Sequence, residues 1–123
     1  MTLAFTIHGL PLLYVLDVNH KPVAATLEEF GAWMDANNKQ LARDEIDGVL
    51  ISTVFLGVDT GRRAFSEPAD DPLVFETMVF CAGRALAPKF DRVCVRYCHY
   101  DSALEGHRAV VDLVKAALNK EAE

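Results

Sequence analysis

The sequence predicts an α+β domain: an antiparallel β-meander of three long strands, a short N-terminal hairpin, and two helices packed on one face of the sheet. Stretches rich in β-branched and aromatic residues at 49–59, 72–82 and 92–100 predict the long strands. The loops between them, of about ten residues, are too short for a helical crossover and long enough for an antiparallel meander. Helical patterns on either side of these stretches supply the two helices.

Turn-forming residues mark chain reversals at two places before the sheet. Asp17 and Asn19 separate an apolar run at 12–16 from a second short stretch at 22–25, which predicts the N-terminal hairpin. Asp47-Gly48 directly precedes the first long strand and is interpreted as a turn or a β-bulge.

The first helix is predicted over residues 27–41. Thr26 and Glu29 have the spacing of a capping box, in which the Thr hydroxyl accepts from a free backbone N–H and the Glu carboxylate reaches back to the cap. Apolar residues then recur at helical spacing. They are Leu27, Phe30, Met34 and Leu41.

The last helix is predicted to open at 101–105, where Ser102 and Glu105 form a second capping box. One apolar stripe follows and includes His107, which is expected to be a core histidine bonded to a carbonyl or a carboxylate. Gly106 beside it weakens the helix and indicates close approach of another backbone. The stripe consists of Leu104, His107, Val111, Val114 and Leu118.

Length, charge and cysteine usage set limits on the class of protein. The 123 residues suit one domain spanning 1–123, and the net charge of −6 without a basic stripe argues against nucleic-acid binding. The first ten residues match neither a signal peptide nor a membrane span, so no membrane association is expected. Three cysteines, an odd number, indicate free thiols in a reducing compartment, and we expect a cytoplasmic protein.

Strand alternation sorts the side chains of the three long strands into two faces. One face is almost wholly apolar and is expected to carry the helices; it includes Thr53, Phe75 and Tyr97. The other face is apolar at its edges and polar in its middle, and Glu76 is expected opposite Arg96 as a cross-strand ion pair. Such a surface usually marks a contact site. Its expected binding residues are Ser52, Val54, Glu76, Met78, Phe80 and Arg96.

Covering of this second face by the hairpin and residues 1–10 is the competing interpretation, and the sequence leaves it open. No metal site is expected, because Cys94 and Cys98 are too far apart along one strand and His99 points to the other face. No cofactor is expected either. Arg96 is expected to lower the pKa of the neighbouring thiols, which is only a weak indication of a reactive cysteine.

No catalytic residue is assigned, since phosphate-binding glycine loops, paired zinc motifs and nucleophile elbows do not occur in the sequence. Two alternatives to a binding module stay open. One is a small hydrolase or transferase that uses Glu76 with Arg96 and His107, provided that the three share a pocket. The other is a protein that sequesters a small, nucleotide-like molecule with Arg62 and Arg63.

Several short motifs resemble a family of uncharacterised small proteins from tailed phages and actinobacterial genomes. They are Ser-Thr-Val-Phe-Leu-Gly at 52–57, Phe-Glu-Thr-Met-Val-Phe at 75–80 after Val74, Arg96-Tyr97, and Gly106-His107, preceded by Tyr-x-Leu-Asp at 14–17 and Pro-Val at 22–23. The chain departs from that pattern at Thr60 and at Cys81-Ala82. The family carries no established activity; the resemblance implies a phage or bacterial cytoplasmic setting and, by analogy, action by binding.

The function that the sequence favours is therefore a non-enzymatic interaction module. It is expected to bind a partner protein, or a second copy of itself as a homodimer, through the mixed face of the sheet.

Overall fold

The computed structural model describes residues 12–60, 71–81, 90 and 93–122. The hairpin strands are β1 (Leu13–Leu16) and β2 (Pro22–Ala25), and the first helix is α1 (Leu27–Ala36). The sheet strands are β3 (Gln40–Ile46), β4 (Val49–Phe55), β5 (Phe75–Phe80) and β6 (Cys94–Tyr97), and the last helix is α2 (Tyr100–Ala122).

The α+β class and the antiparallel meander are confirmed, with one strand more than predicted and with β4, β5 and β6 shorter than the predicted stretches, at seven, six and four residues. The main sheet has the order β3-β4-β5-β6, with every neighbouring pair antiparallel, and β1 and β2 form a separate antiparallel pair. Since each strand lies beside its neighbours in sequence, the connections need no crossover.

The additional strand, β3, corrects the prediction that α1 continues to residue 41. The capping box of Thr26 and Glu29 is present, but the helix ends at Ala36 and Asn37 already has extended backbone angles. The side chain of Asn37 donates to the Trp33 carbonyl and satisfies one of the last free helix acceptors. Asparagine competes with the helical backbone in this way, so the helix ends there and the chain continues as a strand.

A two-residue turn joins β3 to β4. Asp47 and Gly48 both have positive φ, at 48° and 84°. Two consecutive positive φ values define the type I′ hairpin turn, for which Asp-Gly is among the preferred sequences because glycine adopts this conformation without steric cost. The turn therefore fixes the register of β3 against β4, in which Ile46 pairs with Val49.

The tip of the β1–β2 hairpin is held by one carboxylate. Asp17 Oδ1 accepts hydrogen bonds from the backbone N–H groups of Asn19 at 2.8 Å and Lys21 at 2.9 Å. These two bonds lower the pKa of Asp17 below its ordinary value. The turn residue His20 has a φ of 62° and stacks on Tyr100 with the ring centroids 4.1 Å apart.

Helix α2 packs on the sheet and forms the larger part of the core. It contacts all four strands β3 to β6. It begins at Tyr100, so Ser102 lies inside the first turn and the predicted capping box with Glu105 is wrong; the backbone N–H of Ala103 donates to the His99 carbonyl instead. The buried residues of this cluster are Val49, Ile51, Val79, Cys81, Val110, Val111, Val114 and Leu118.

A second apolar cluster joins the hairpin to the same face of the sheet. Helix α1 lies on the hairpin, and its Trp33 contacts Phe55 of β4 edge to face at 5.2 Å between centroids. Both helices therefore reach the face of the sheet that carries Ile51 and Phe55. The buried members of the cluster are Leu12, Tyr14, Phe55, Val74, Phe75 and Ala103. Neither described helix is both long and apolar enough to cross a membrane.

Candidate functional site

The side of the main sheet that faces away from α2 is called here the open face. Strand register places its side chains in rows: Leu50 beside Phe80, then Ser52, Met78 and Cys94, then Val54, Glu76 and Arg96. The predicted parity is therefore correct for all six expected binding residues, Ser52, Val54, Glu76, Met78, Phe80 and Arg96. Their shared position is a matter of geometry and does not by itself establish that they bind a partner.

The open face is partly exposed across its whole width. Leu50, Val54 and Met78 are half-buried, and Phe80 is 45% exposed. The opposite face, in contrast, has Val49, Ile51 and Phe75 at 2% exposure or less, beneath the helices and the hairpin. Within the described ranges, no helix or strand packs on the open face.

The additional strand β3 widens the open face with polar residues that were not predicted from the sequence. Arg43 pairs with Ser52 and Glu45 with Leu50 in the register, and Gln40 Nε2 donates to Ser52 Oγ at 2.9 Å. The signal for this strand was the Asp-Gly turn, which requires a strand on each side.

Covering of the open face by the hairpin is excluded by position. Tyr14 of β1 belongs to the cluster of Phe55 and Phe75, and its backbone N–H donates to the Gly57 carbonyl at 2.8 Å. The hairpin thus lies on the side of the sheet that carries the helices. Residues 1–10, the other part of that interpretation, lie outside the described residues.

Charged side chains on the open face balance each other. Arg43 Nη2 lies 3.0 Å from Glu45 Oε2, and Arg96 Nε lies 3.4 Å from Glu76 Oε1. The cross-strand pairing of Glu76 with Arg96 is therefore confirmed. The described charges of the open face therefore cancel although the chain carries a net charge of −6, and each of these partly exposed pairs stabilises the fold by only about 0–1 kcal/mol.

The surroundings of Cys94 disfavour the thiolate form of its side chain. Its Sγ donates to Glu76 Oε1 at 2.8 Å. Burial and this contact with Glu76 raise the pKa of the Cys94 thiol above its ordinary value and outweigh the opposite effect of Arg96. Arg96 therefore lowers the Cys94 pKa as expected, but its effect is the smaller one and the net shift is upward. Burial, followed by Asp71 and Asp59, also raises the pKa of Cys98.

The Cys94 thiol is accordingly expected to react slowly with iodoacetamide at pH 8, since only the thiolate attacks. Glu76→Gln removes the acceptor charge, so the thiol pKa falls towards its ordinary value and alkylation at the same pH accelerates. The rate is measured by mass spectrometry in a Cys98→Ser background. Equal rates with Glu76 and with Gln at position 76 would show that the carboxylate does not control the thiol.

The interior face holds a chain of polar contacts. His107 is 3% exposed; its Nδ1 lies 2.7 Å from Thr53 Oγ1 and its Nε2 lies 2.7 Å from Asp44 Oδ2. Thr53 Oγ1 in turn lies 2.5 Å from Thr77 Oγ1 on the neighbouring strand. His107 is thus the core histidine with a carboxylate partner that the sequence predicts.

This chain of contacts resembles a hydroxyl–imidazole–carboxylate triad only in its connectivity. A nucleophilic hydroxyl has to meet its substrate, and Thr53 and Thr77 are 0% exposed. Their hydroxyl groups lie under α2, where they satisfy each other and the imidazole. The arrangement therefore links α2 to β3, β4 and β5 and offers no site for chemistry.

The hydrolase alternative required Glu76, Arg96 and His107 to share one pocket. They do not meet: Glu76 and Arg96 lie on the open face, and His107 lies between α2 and the opposite face. The arginines of the sequestering alternative, Arg62 and Arg63, lie outside the described residues.

Two shallow hollows flank His20 at the tip of the hairpin. One, of about 170 Å³, is lined by residues that include Lys21, His99 and Tyr100, and the other, of about 290 Å³, by residues that include Trp33. Both fall below the usual size of pockets that enclose small molecules, about 300–1,000 Å³. Neither lies on the open face.

Among the residues that the structure describes, no group of three or more His, Cys, Asp or Glu side chains is arranged to hold a metal ion. No family model, curated protein or solved structure matches the chain. A function therefore has to be inferred from the geometry of the open face.

Proposed function

We propose that the protein is a non-enzymatic interaction module that holds a partner protein on its open face. One observation carries this proposal. A sheet sealed on one side by helices presents half-exposed Leu50, Val54, Met78 and Phe80 on the other. Contiguous apolar surface of this kind is uncommon on monomeric proteins and usually marks a site of contact.

The charges of the open face limit the chemistry of its partner. Nucleic acids and anionic membranes bind basic surfaces, whereas the two described arginines of this face, Arg43 and Arg96, each pair with a glutamate, on a chain of net charge −6. A protein surface with an apolar centre and few unpaired charges fits it better. The Arg96–Glu76 pair lies among the apolar residues, and polar groups in that position favour one orientation of the bound partner over others.

The resemblance to the phage and actinobacterial family gives this proposal a setting. A bacterial or phage protein that acts in the cytoplasm by occupying a surface of another protein is consistent with a small domain that has no accessible catalytic set among its described residues.

Charge substitution on the open face tests the proposal. Met78→Glu and Phe80→Glu place a carboxylate in the apolar part of the face and are expected to weaken partner binding by about 10-fold or more. Val18→Glu is the matched control, because Val18 is 94% exposed at the tip of the hairpin, away from the open face. Bait proteins of all three variants and of the wild type are compared in quantitative affinity capture from a bacterial lysate.

Proteins that the wild type and Val18→Glu retain, and that both open-face variants lose, would support the proposal. Identical capture by all four baits would contradict it. Light scattering of the same proteins tests whether the occupant is a second copy of the chain. If it is, the two open-face substitutions convert a dimer into a monomer.

A further inference from the structure

The two edges of the main sheet differ in how they resist pairing with another strand. The β3 edge carries Arg43, Asp44 and Glu45, and its register shifts between Gln40 and Ala42. Charges and bulges of this kind protect exposed edges from unwanted strand addition. The β6 edge, Cys-Val-Arg-Tyr, pairs with β5 without a register shift and has one charged residue.

The hydrogen-bond pattern shows which backbone groups of β6 are free. The Val79 N–H donates to the Val93 carbonyl, so Val79 and Val93 form a hydrogen-bonded pair. Such pairs alternate along an antiparallel ladder, and the Thr77–Val95 pair is therefore hydrogen-bonded too. The N–H and C=O groups of Cys94 and Arg96 accordingly point away from β5, and within the described part of the chain nothing pairs with them.

The free backbone groups of β6 can pair with the same groups of a second β6 strand. If two β6 strands meet antiparallel about a two-fold axis at Val95, Cys94 of each strand lies opposite Arg96 of the other. Both of these become hydrogen-bonded pairs, which uses the free groups of both strands. Val95 then faces its own copy in a non-hydrogen-bonded pair, where the Cβ atoms of opposite residues come within about 4.5–5.5 Å.

The side chains beside this edge are apolar and exposed. Val95 is 38% exposed although it lies on the side of the sheet that α2 covers, and Leu113 of α2 is 59% exposed. Leu113 lies two turns beyond Gly106 on the same helical stripe, and Gly106 faces Tyr97 of β6. The stripe therefore flanks the free edge, and pairing removes Val95 from water.

We propose that a second copy of this chain adds to the β6 edge by antiparallel pairing centred on Val95, which gives a two-fold symmetric dimer with one continuous eight-stranded sheet. The four residues of β6 make a small interface, so the dimer dissociates on dilution. The pairing joins two open faces into one larger surface. It does not depend on the binding of a partner to the open face, because it uses the edge of the sheet.

Disulfide trapping tests the register. In a Cys94→Ser, Cys98→Ser background, Val95→Cys is treated with oxidised glutathione, which accepts the two electrons and two protons released when two thiols form one disulfide. Most of the protein is expected to become a covalent dimer on non-reducing gels. Val18→Cys in the same background is the control, because its thiol is exposed on the hairpin.

Two further variants make the result specific. A protein that keeps Cys94, with Val95 native and Cys98→Ser, is expected to cross-link far more slowly, since Cys94 faces Arg96 of the second copy. Val95→Lys is expected to shift sedimentation velocity profiles towards the monomer at every concentration, whereas Val18→Lys is not. Circular dichroism confirms that each variant is folded.

Cross-linking of Val95→Cys no faster than that of Val18→Cys would overturn the proposal. So would a wild type that sediments as a monomer at every concentration. A dimer that Met78→Glu disrupts and Val95→Lys leaves intact would place self-association on the open face and would also overturn it. Failure of partner capture leaves these results unaffected, so the two proposals are tested separately.

Discussion

Replacing His107 with alanine is expected to lower the free energy of unfolding by about 3 kcal/mol. The imidazole is buried and contacts Thr53 on one side and Asp44 on the other. Its removal leaves a cavity under α2 and deprives the buried Thr53 hydroxyl of one partner, and costs of about 1–3 kcal/mol for an unsatisfied buried group add to the loss of packing. Urea denaturation followed by far-UV circular dichroism measures the change.

Arg108→Ala is the matched control, because Arg108 is the next residue of the same helix and is exposed. Its effect is expected to stay within about 0.5 kcal/mol. A double-mutant cycle with Thr53→Val and Asp44→Asn then compares the two contacts of the imidazole. The contact with buried Thr53 is expected to contribute more, since the Asp44 side chain is 51% exposed and solvent screens its interaction. Equal stability of His107→Ala and Arg108→Ala would refute the structural role.

Gly106→Ala is expected to destabilise the protein by about 1–3 kcal/mol, against the usual gain of about 1 kcal/mol for alanine over glycine in a helix. A Cβ at position 106 would overlap the edge and the hydroxyl of the Tyr97 ring. The close approach that this glycine allows is thus to an aromatic side chain, and not to another backbone as the sequence pattern indicated. Gly31→Ala in α1 is the control, because a Cβ added at Gly31 would have no neighbouring atom within 4 Å, and it is expected to stabilise.

The Tyr97 hydroxyl makes this prediction more specific. It is buried and has no hydrogen-bond partner within the described part of the chain. Tyr97→Phe removes that group and is expected to leave stability unchanged or raise it by about 1 kcal/mol. It also removes one of the atoms that a Cβ at position 106 would meet, so Gly106→Ala is expected to cost less in the Tyr97→Phe background. Additive effects in thermal and urea denaturation would show that the two sites are not in contact.

The open face could be derived from the sequence because strand alternation is a local property. Once Val54, Glu76 and Arg96 are assigned to strands, alternation decides the face of each side chain, and pairing Glu76 with Arg96 selects the register of β5 against β6. The connections at 56–74 and 81–93 are longer than the ten residues predicted, but their length does not change the alternation. The wrong assignment of residues 37–41 to the helix did not affect this result, since β3 joins at the far edge of the sheet.

The boundary between α1 and β3 could not be placed by periodicity. Leu41 continues the helical spacing of Phe30 and Met34, yet it lies in a strand. The choice depended on Asn37 ending the helix and on the Asp47-Gly48 turn requiring a strand before it as well as after it. A hairpin turn at Asp47-Gly48 requires a strand before it as well as after it, and applying that requirement would have predicted the four strands of the main sheet.

By itself the sequence determined the α+β class, the alternation of faces, the first capping box and the inward position of His107, because each depends on spacing over a few residues. Tertiary structure alone decided that Asp44 reaches His107 across 63 positions of sequence, that Glu76 raises the Cys94 pKa, and that Gly106 makes room for Tyr97. These are contacts between distant segments, and their geometry exists only after the sheet and α2 have packed together.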